Sequence, residues 1–574
     1  MSGTSDASTT DVDSSPSDAT TAPPLSALFL IKFDQKVGYS IAWKRSAANV
    51  VLDGTVEFKS LPSGLHTVKE DLVYFVHEGY AGLSAFVNGP GSEAERNAHL
   101  VAVGILVPLS YGRLGRSWLH AQALQNLAAV LVDDVSRTEP LETYWEKHGA
   151  NGDGDTQNLK SSTISSGSNP SPWKTHNRSR ALSSLVAVIP SEQSLPPWHP
   201  ALSIVKYIDT FGPLVFPLQR AALLRKRILF MTSAPVRPAC EFVYDLSILS
   251  SIPGSVSELL PPGSESLHRL RSLFTLGIHD IPLLEKMSVP HGAPGATQNP
   301  DDDDTYGWVA CTTDEILTIK QKLYDIIVDI PPTPNNTTET KRWSTIKTSD
   351  GAEIKASQRD LRRFKLLYHE LWKIRHRVQS DHDDGDEDTD DRTSLLPHDS
   401  ENESEDESDE GYDDKLIEPM TWAQLAYSGF MWWASAGEKD SYLTEEADGD
   451  REILGDISDF VPGGMHMESN GADPMTASGL AQTGLHTAII AYFHRLTSLM
   501  VTTLADLIEC SDDEDLTGEE NTVLQVTSED IARMGLEAWS ESDKAFAKDF
   551  LMTYFGREAE VHGASLECCG IRIC

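Results

Sequence analysis

The sequence predicts a multi-domain α/β plus α protein. Three observations carry this. Short apolar runs of strand length alternate with helically spaced segments from Leu25 to Ile330. From Glu418 onward the apolar spacing is mainly helical. Much of the acid sits in one run, which separates the two parts.

Residues 1–24 are polar and low in complexity, as expected of a disordered tail. They lack the apolar core of a signal peptide, and their acids are unlike a transit peptide. Residues 25–150 form the first ordered unit. Ser26 to Phe33 and Val37 to Lys44 have strand character and are joined by Asp34-Gln35-Lys36. Leu72 to Val76 and Gly82 to Val87 flank the turn Glu78-Gly79-Tyr80. His99 to Leu109 is nearly all apolar, the pattern of a strand covered on both faces. Ser117 to Val132 has helical spacing, with Ser117 as its expected N-cap.

Residues 151–197 are rich in Ser, Asn, Gly and Pro and form a linker. Residues 198–345 form a second α/β unit. Its expected strands are Arg227 to Met231, Gly307 to Cys311 and Leu323 to Ile330. Its expected helices run from Ala239 to Leu249 and from a Thr313 cap. Residues 346–380 hold an amphipathic helix over Ser357 to Val378. Leu361, Phe364, Leu367, Leu371, Ile374 and Val378 share its apolar face, and Arg359, Arg362, Arg363, Lys365, Lys373, Arg375 and Arg377 crowd the others. Simple packing is one reading of that basic face, and contact with an anionic membrane or with the acidic run that follows is the other.

Residues 381–417 are expected to be a disordered acidic loop: Asp381 to Asp414 holds 18 acidic residues against Arg392 alone, in a chain of net charge -40. Ser404 and Ser408, each followed by acids, are candidate phosphorylation sites for an acid-directed kinase. Residues 418–574 are helical, with helices expected at Thr421 to Ala436, Leu485 to Leu507, Ile531 to Trp539 and Lys544 to Phe555. The aromatic cluster Trp422, Tyr427, Phe430, Trp432 and Trp433 is expected to be helix-packing core. His494 and Arg495 near the centre of Leu485 to Leu507 argue against a membrane span.

The motifs of covalent chemistry are incomplete. Gly82-Leu83-Ser84-Ala85-Phe86 approaches a hydrolase nucleophile elbow, but Phe86 occupies the last Gly position. Gly112-Arg113-Leu114-Gly115-Arg116-Ser117 lacks the length and the Lys of a P-loop, although its two arginines make it a candidate anion site. His369-Glu370 is followed by Lys373 where a zincin needs His. Cys568, Cys569 and Cys574, with His562, lack a standard zinc spacing. No catalytic residue, cofactor or metal is expected. The acidic balance argues against nucleic acid as a partner. Six scattered cysteines fit a reduced, cytoplasmic setting.

Several stretches resemble those of the DENN-domain family, specifically its LCHN-like branch. They are Leu61-Pro62-Ser63-Gly64, Asp71 to Phe75, Gly82 to Phe86 and Pro108 to Arg116, then Leu273 to Ile281, Gly307 to Asp314, Tyr492 to Leu496 and Tyr554 to Arg557. Their order along the chain is as telling as any one of them. The resemblance implies a longin-like N-terminal lobe at 25–150, an α/β central DENN lobe at 198–345 and a helical C-terminal lobe at 418–574. It implies guanine-nucleotide exchange on a Rab-type small GTPase in membrane traffic, in the cytoplasm or peripherally on organelle membranes. A non-catalytic GTPase- or membrane-binding scaffold or effector is the alternative. A GTPase-activating partner is a further one, with Arg113 or Arg116 as its candidate arginine finger. The exchange-surface residues, the GTPase and the oligomeric state are not given by the sequence.

Overall fold

The computed structural model describes residues 22–34, 36, 38–47, 50–90, 98–150, 195–288, 307–332, 342–383, 415–422, 424–426, 429, 439–455, 474–515, 523–563, 567–568 and 571–572. Most of the expected tail and linker, and the acidic run with Ser404 and Ser408, lie outside these residues. So do Tyr427, Phe430, Trp432 and Trp433, and the side chains of Cys568, Cys569 and Cys574.

The first unit is an antiparallel sheet of β1 (Ala27–Asp34), β2 (Gly38–Ser46), β3 (Glu70–His77), β4 (Tyr80–Pro90) and β5 (Ala98–Pro108), ordered β3-β4-β5-β1-β2. α1 (Val56–Lys59) lies between β2 and β3; α2 (Ala121–Leu131) and α3 (Glu139–His148) follow β5. The period-2 alternation of the strands separates two cores. Leu28, Leu30, Leu72, Leu83, Val103 and Ile105 pack with Leu124, Ala128 and Leu131 of α2. Phe29, Ile31, Val73, Phe75, Phe86 and Leu106 pack with Leu52 and Val56 on the other face. Two glycines let aromatic rings lie across the strands. Gly82 pairs with Phe75 and Gly104 with Phe29. A Cβ at either would stand 2.2 or 2.3 Å from the partner's ring.

The second unit follows with α4 (Ile204–Phe211), α5 (Val215–Leu223), β6 (Ile228–Met231), α6 (Arg237–Leu249), α7 (Gly254–Ser257), β7 (Arg271–Thr275), α8 (Ile281–Met287), β8 (Trp308–Thr312), α9 (Glu315–Ile319) and β9 (Ile326–Asp329). β7, β8, β6 and β9 are parallel neighbours in that order. β10 (Thr345–Thr348) pairs antiparallel with β9, and β11 (Glu353–Ile354) pairs antiparallel with β10 to form the edge. The strands of the two units lie in one 11-stranded sheet, joined where Phe75 of β3 pairs with Phe274 of β7. Phe274 has φ 59 and sits at a register shift in β7, so a bulge marks the junction.

α10 (Gln358–Asp383), α11 (Lys439–Leu454), α12 (Pro474–Asp515), β12 (Leu524–Val526), α13 (Ser528–Arg533), α14 (Glu541–Phe555) and β13 (Ala559–Val561) complete the body, with a short hairpin of β14 (Glu567–Cys568) and β15 (Ile571–Arg572). α10 buries Phe364, Leu367 and Leu371 as its spacing predicts. Its first arginines, however, are not a free basic face. Arg363 lies 2.6 Å from Asp450, Arg359 3.3 Å from Asp450, and Arg362 2.7 Å from Glu446 and 3.1 Å from Glu537. Arg220 of α5 joins the network through Asp360 at 2.6 Å and Asp543 at 3.1 Å. The arginines dock α10 against α11, α13 and α14, because buried charge requires partners. Two segments, Pro200–Leu223 and Gly484–Asp512, are apolar and long enough to cross a membrane, and most of each is buried within the protein.

Other elements differ from expectation. The turn at Ser117 is a 3-10 helix (Ser117–His120) whose N-cap position is Arg116, at φ 57, and the buried Ser117 hydroxyl has no hydrogen-bond partner. Ser117 is therefore not a cap. The expected helix at Ile531 to Trp539 ends at Arg533, because Gly535 turns the chain at φ 77. Trp422 is 87% exposed rather than core.

Candidate partner-binding surface

The stretch from Leu61 to Phe86 supplies one side of the junction between the two units. Ser84 is not a nucleophile there. It lies mid-strand, paired with Val73, and its fully buried hydroxyl has no partner among the described residues. Gly64, at φ 88, leads into a 3-10 turn (Leu65–Thr67), and the residues before it reach across to the carboxyl ends of β7 and β8. The Ser63 hydroxyl donates to Asp314, and the other Asp314 oxygen accepts from the Ile278 N–H at 3.3 Å. Lys59 forms a buried ion pair with Asp280 at 2.8 Å and donates to the Val76 carbonyl at 2.7 Å. The rings of Phe58 and His279 stack with centroids 4.0 Å apart.

Asp71 makes the deepest of these contacts. Its carboxylate accepts from the N–H groups of Val236 at 2.6 Å and Arg237 at 3.2 Å, which open α6, and from Leu72 at 2.8 Å. A residue of β3 thus serves orphan donors at the start of a helix in the other unit. Burial pushes the Asp71 carboxyl up to about 6, against the lowering effect of these bonds.

Beyond the carboxyl ends of β7 and β8, α8 and α9 lie side by side. The Asp314 bond to Ile278 ties one end, and the Lys320 to Glu285 ion pair at 3.4 Å ties the other. Leu276, Leu284, Met287 and Leu317 close the core beneath them. Four apolar side chains are exposed on and beside these helices, Ile278, Leu283, Ile316 and Ile319, the last at 78%, among the exposed charges of Glu285, Lys286, Glu315 and Lys320. The crevice outside the carboxyl ends of parallel strands is where open α/β sheets bind partners, and clustered exposed apolar side chains mark an interaction site. The groups here dock a surface; they are not an acid-base pair.

The predicted arginines lie elsewhere. Arg113 donates to Ser251 Oγ at 2.7 Å and to the Ser247 carbonyl at 3.3 Å, at the end of α6, and burial pushes its guanidinium down to about 10. It holds the β5–α2 turn against the second unit. Arg116 is half-buried in the same turn. His369 and Glu370 form no metal pair, since Lys373 bonds to Glu370 at 2.8 Å. Sequence reasoning missed Lys59, Asp71, Asp280, Asp314 and Ile319. Only Asp314, next to a helix start, carries a local signal.

The family model for DENN domain-containing protein 11 matches residues 28–340, which include the whole junction. A domain of unknown function (DUF4484) matches residues 417–522 and 513–574. DENN domain-containing protein 11 of Danio rerio is 32% identical over 305 residues, 53% of each chain. Its Xenopus laevis counterpart is 31% identical over 306 residues, 53% of this chain and 59% of that one. The chain thus spans little more than half the length of these curated relatives. Uncharacterized protein ANR2 of Saccharomyces cerevisiae is 22% identical over 589 residues, 96% of this chain and 94% of that one. With more than half of its length matched by the family model, the chain belongs to the DENN domain-containing protein 11 family.

Proposed function

We propose that the protein is a guanine-nucleotide exchange factor for a Rab-type small GTPase in membrane traffic. The family match over residues 28–340 carries the reading. In it, residues 25–150 act as a longin-like lobe and 198–345 as the central DENN lobe, and the GTPase docks on the apolar surface of α8 and α9 beside the junction. An exchange factor needs no nucleophile or metal. It binds the nucleotide-free GTPase better than the GDP-bound form, so by linkage it weakens GDP binding. A weakening of about 1000-fold requires about 4 kcal/mol of differential contact. Engagement of Arg113 by Ser247 and Ser251 weighs against its use as an arginine finger.

Binding of immobilised Rab GTPases in three nucleotide states tests this. Preference for the nucleotide-free state is expected. Preference for the GTP state would replace exchange by an effector or scaffold role. Preference for a transition-state mimic would replace it by activation of hydrolysis.

A further inference from the structure

A groove in the helical C-terminal part is separate from the junction. Its cavity of about 600 Å³ lies between α11, α12 and α13, with Arg359 of α10 at one side. The size is that of a ligand-binding cleft. Ile453, Leu499 and Ala532 line it and are half-buried, so the groove has an apolar floor that remains partly exposed. Gly449 leaves open space where a side chain would stand.

The charges around the floor are unevenly satisfied. Arg495 donates to the carbonyls of Ile453 and Leu454, both at 2.6 Å, at the end of α11. Arg359 donates to the carbonyls of Ala532 at 3.0 Å and Leu536 at 3.1 Å and to Asp450 at 3.3 Å. Arg533 lies 3.6 Å from Asp530, and Glu446 pairs with Arg362. Glu445, Glu452 and Glu529 are exposed, and none has an ion-pair or hydrogen-bond partner among the described residues. The groove therefore presents apolar surface edged by three carboxylates without direct partners among the described residues, with Arg495 and Arg533 also in its lining. Arg359 is 7% exposed and its Nε is buried, with Glu446 Oε1 3.9 Å away, so this guanidinium belongs to the floor and is held there by Asp450 and Glu446.

We propose that this groove binds a cationic amphipathic helix of a partner protein. The apolar face of such a helix covers Ile453, Leu499 and Ala532. Its Lys or Arg residues meet Glu445, Glu452 and Glu529. Charge disfavours the segment between α11 and α12 as the occupant: residues 456–473 contain Asp456, Asp459, Glu468 and Asp473 and no Lys or Arg. The acidic run at Asp381 to Asp414 is disfavoured on the same ground.

The test uses the full chain and two fluorescein-labelled model helices of equal length, one built from Leu and Lys and the other from Leu and Glu. Binding is read by anisotropy at physiological salt, where non-specific attraction to the acidic run is screened. The Leu/Lys helix is expected to bind and the Leu/Glu helix to bind at least ~10-fold more weakly. The triple variant Glu445→Gln, Glu452→Gln, Glu529→Gln keeps the wild-type melting temperature and loses at least ~10-fold in affinity for the Leu/Lys helix. Hydrogen exchange is expected to slow in α11, α12 and α13 when that helix binds. Equal affinity of the triple variant, or protection confined to other segments, would overturn the proposal. So would self-association that the triple variant abolishes, which would make a second copy the occupant.

Discussion

Replacing Asp71 by Ala tests whether β3 locks the start of α6. The substitution leaves the N–H groups of Val236 and Arg237 without their acceptor. At about 1–3 kcal/mol for each of the two donors, a loss of about 2–6 kcal/mol is expected at neutral pH. The pH dependence is more specific. Burial raises the Asp71 carboxyl from 3.8 to about 6. A carboxyl raised in the folded state stabilises fully below its unfolded value, and that contribution is lost as pH rises through the folded one. Integrated between pH 7.5 and 5.5, the native protein gains about 0.8 kcal/mol over Asp71→Ala. Staying at 5.5 keeps clear of the isoelectric point near 4.7. His120 and His199, both pushed down to about 4 by burial, contribute equally to the two chains and cancel. Urea unfolding of both proteins at the two pH values measures the gap. A gap that stays constant or narrows in acid would show that the hydrogen bonds from α6 outweigh burial at Asp71, and a loss below about 1 kcal/mol at neutral pH would refute its service to α6.

Three further outcomes are expected. Gly82→Ala drives a Cβ into the Phe75 ring and should cost about 1–3 kcal/mol, with partial recovery in Gly82→Ala, Phe75→Leu, read by thermal melts. Arg363→Met leaves Asp450 with Arg359 as its remaining partner and should cost about 3–5 kcal/mol, whereas Arg363→Met with Asp450→Leu should cost less, read by denaturant titration. Ile319→Asp changes an exposed side chain, so stability should stay within about 0.5 kcal/mol while GTPase affinity falls, read by parallel melts and binding titrations.

The strands of the first unit were legible because their apolar runs have strand length and are bounded by turn residues, and β1 to β5 lie within a few residues of the expected positions. α4 and α5 were not. In α4 the buried Ile204, Tyr207, Ile208 and Phe211 do have helical spacing opposite Lys206, Asp209 and Thr210, but over only eight residues before Gly212 and Pro213, and α5 buries nearly all its side chains, Gln219 and Arg220 included, so no polar face reveals its period. The partners of the arginines in α10 were hidden for another reason. The arginines have the spacing of a basic face, and the acids that neutralise Arg359, Arg362 and Arg363 lie 84 to 175 residues away in sequence. The junction was hidden likewise: Ser63 and Asp314 are 251 residues apart. Local pattern gives elements, and long-range pairing of charges gives the site.

The most direct test of the exchange reading is release of fluorescent GDP from a panel of purified Rab-type GTPases. It uses the full chain, a chain lacking Asp381 to Asp414, and Ile319→Asp. Faster release from one GTPase is expected, with the acceleration reduced in Ile319→Asp. Acceleration by the deleted chain alone would still be exchange, held back by the acidic run. No acceleration by either of these chains across the panel would contradict the exchange reading.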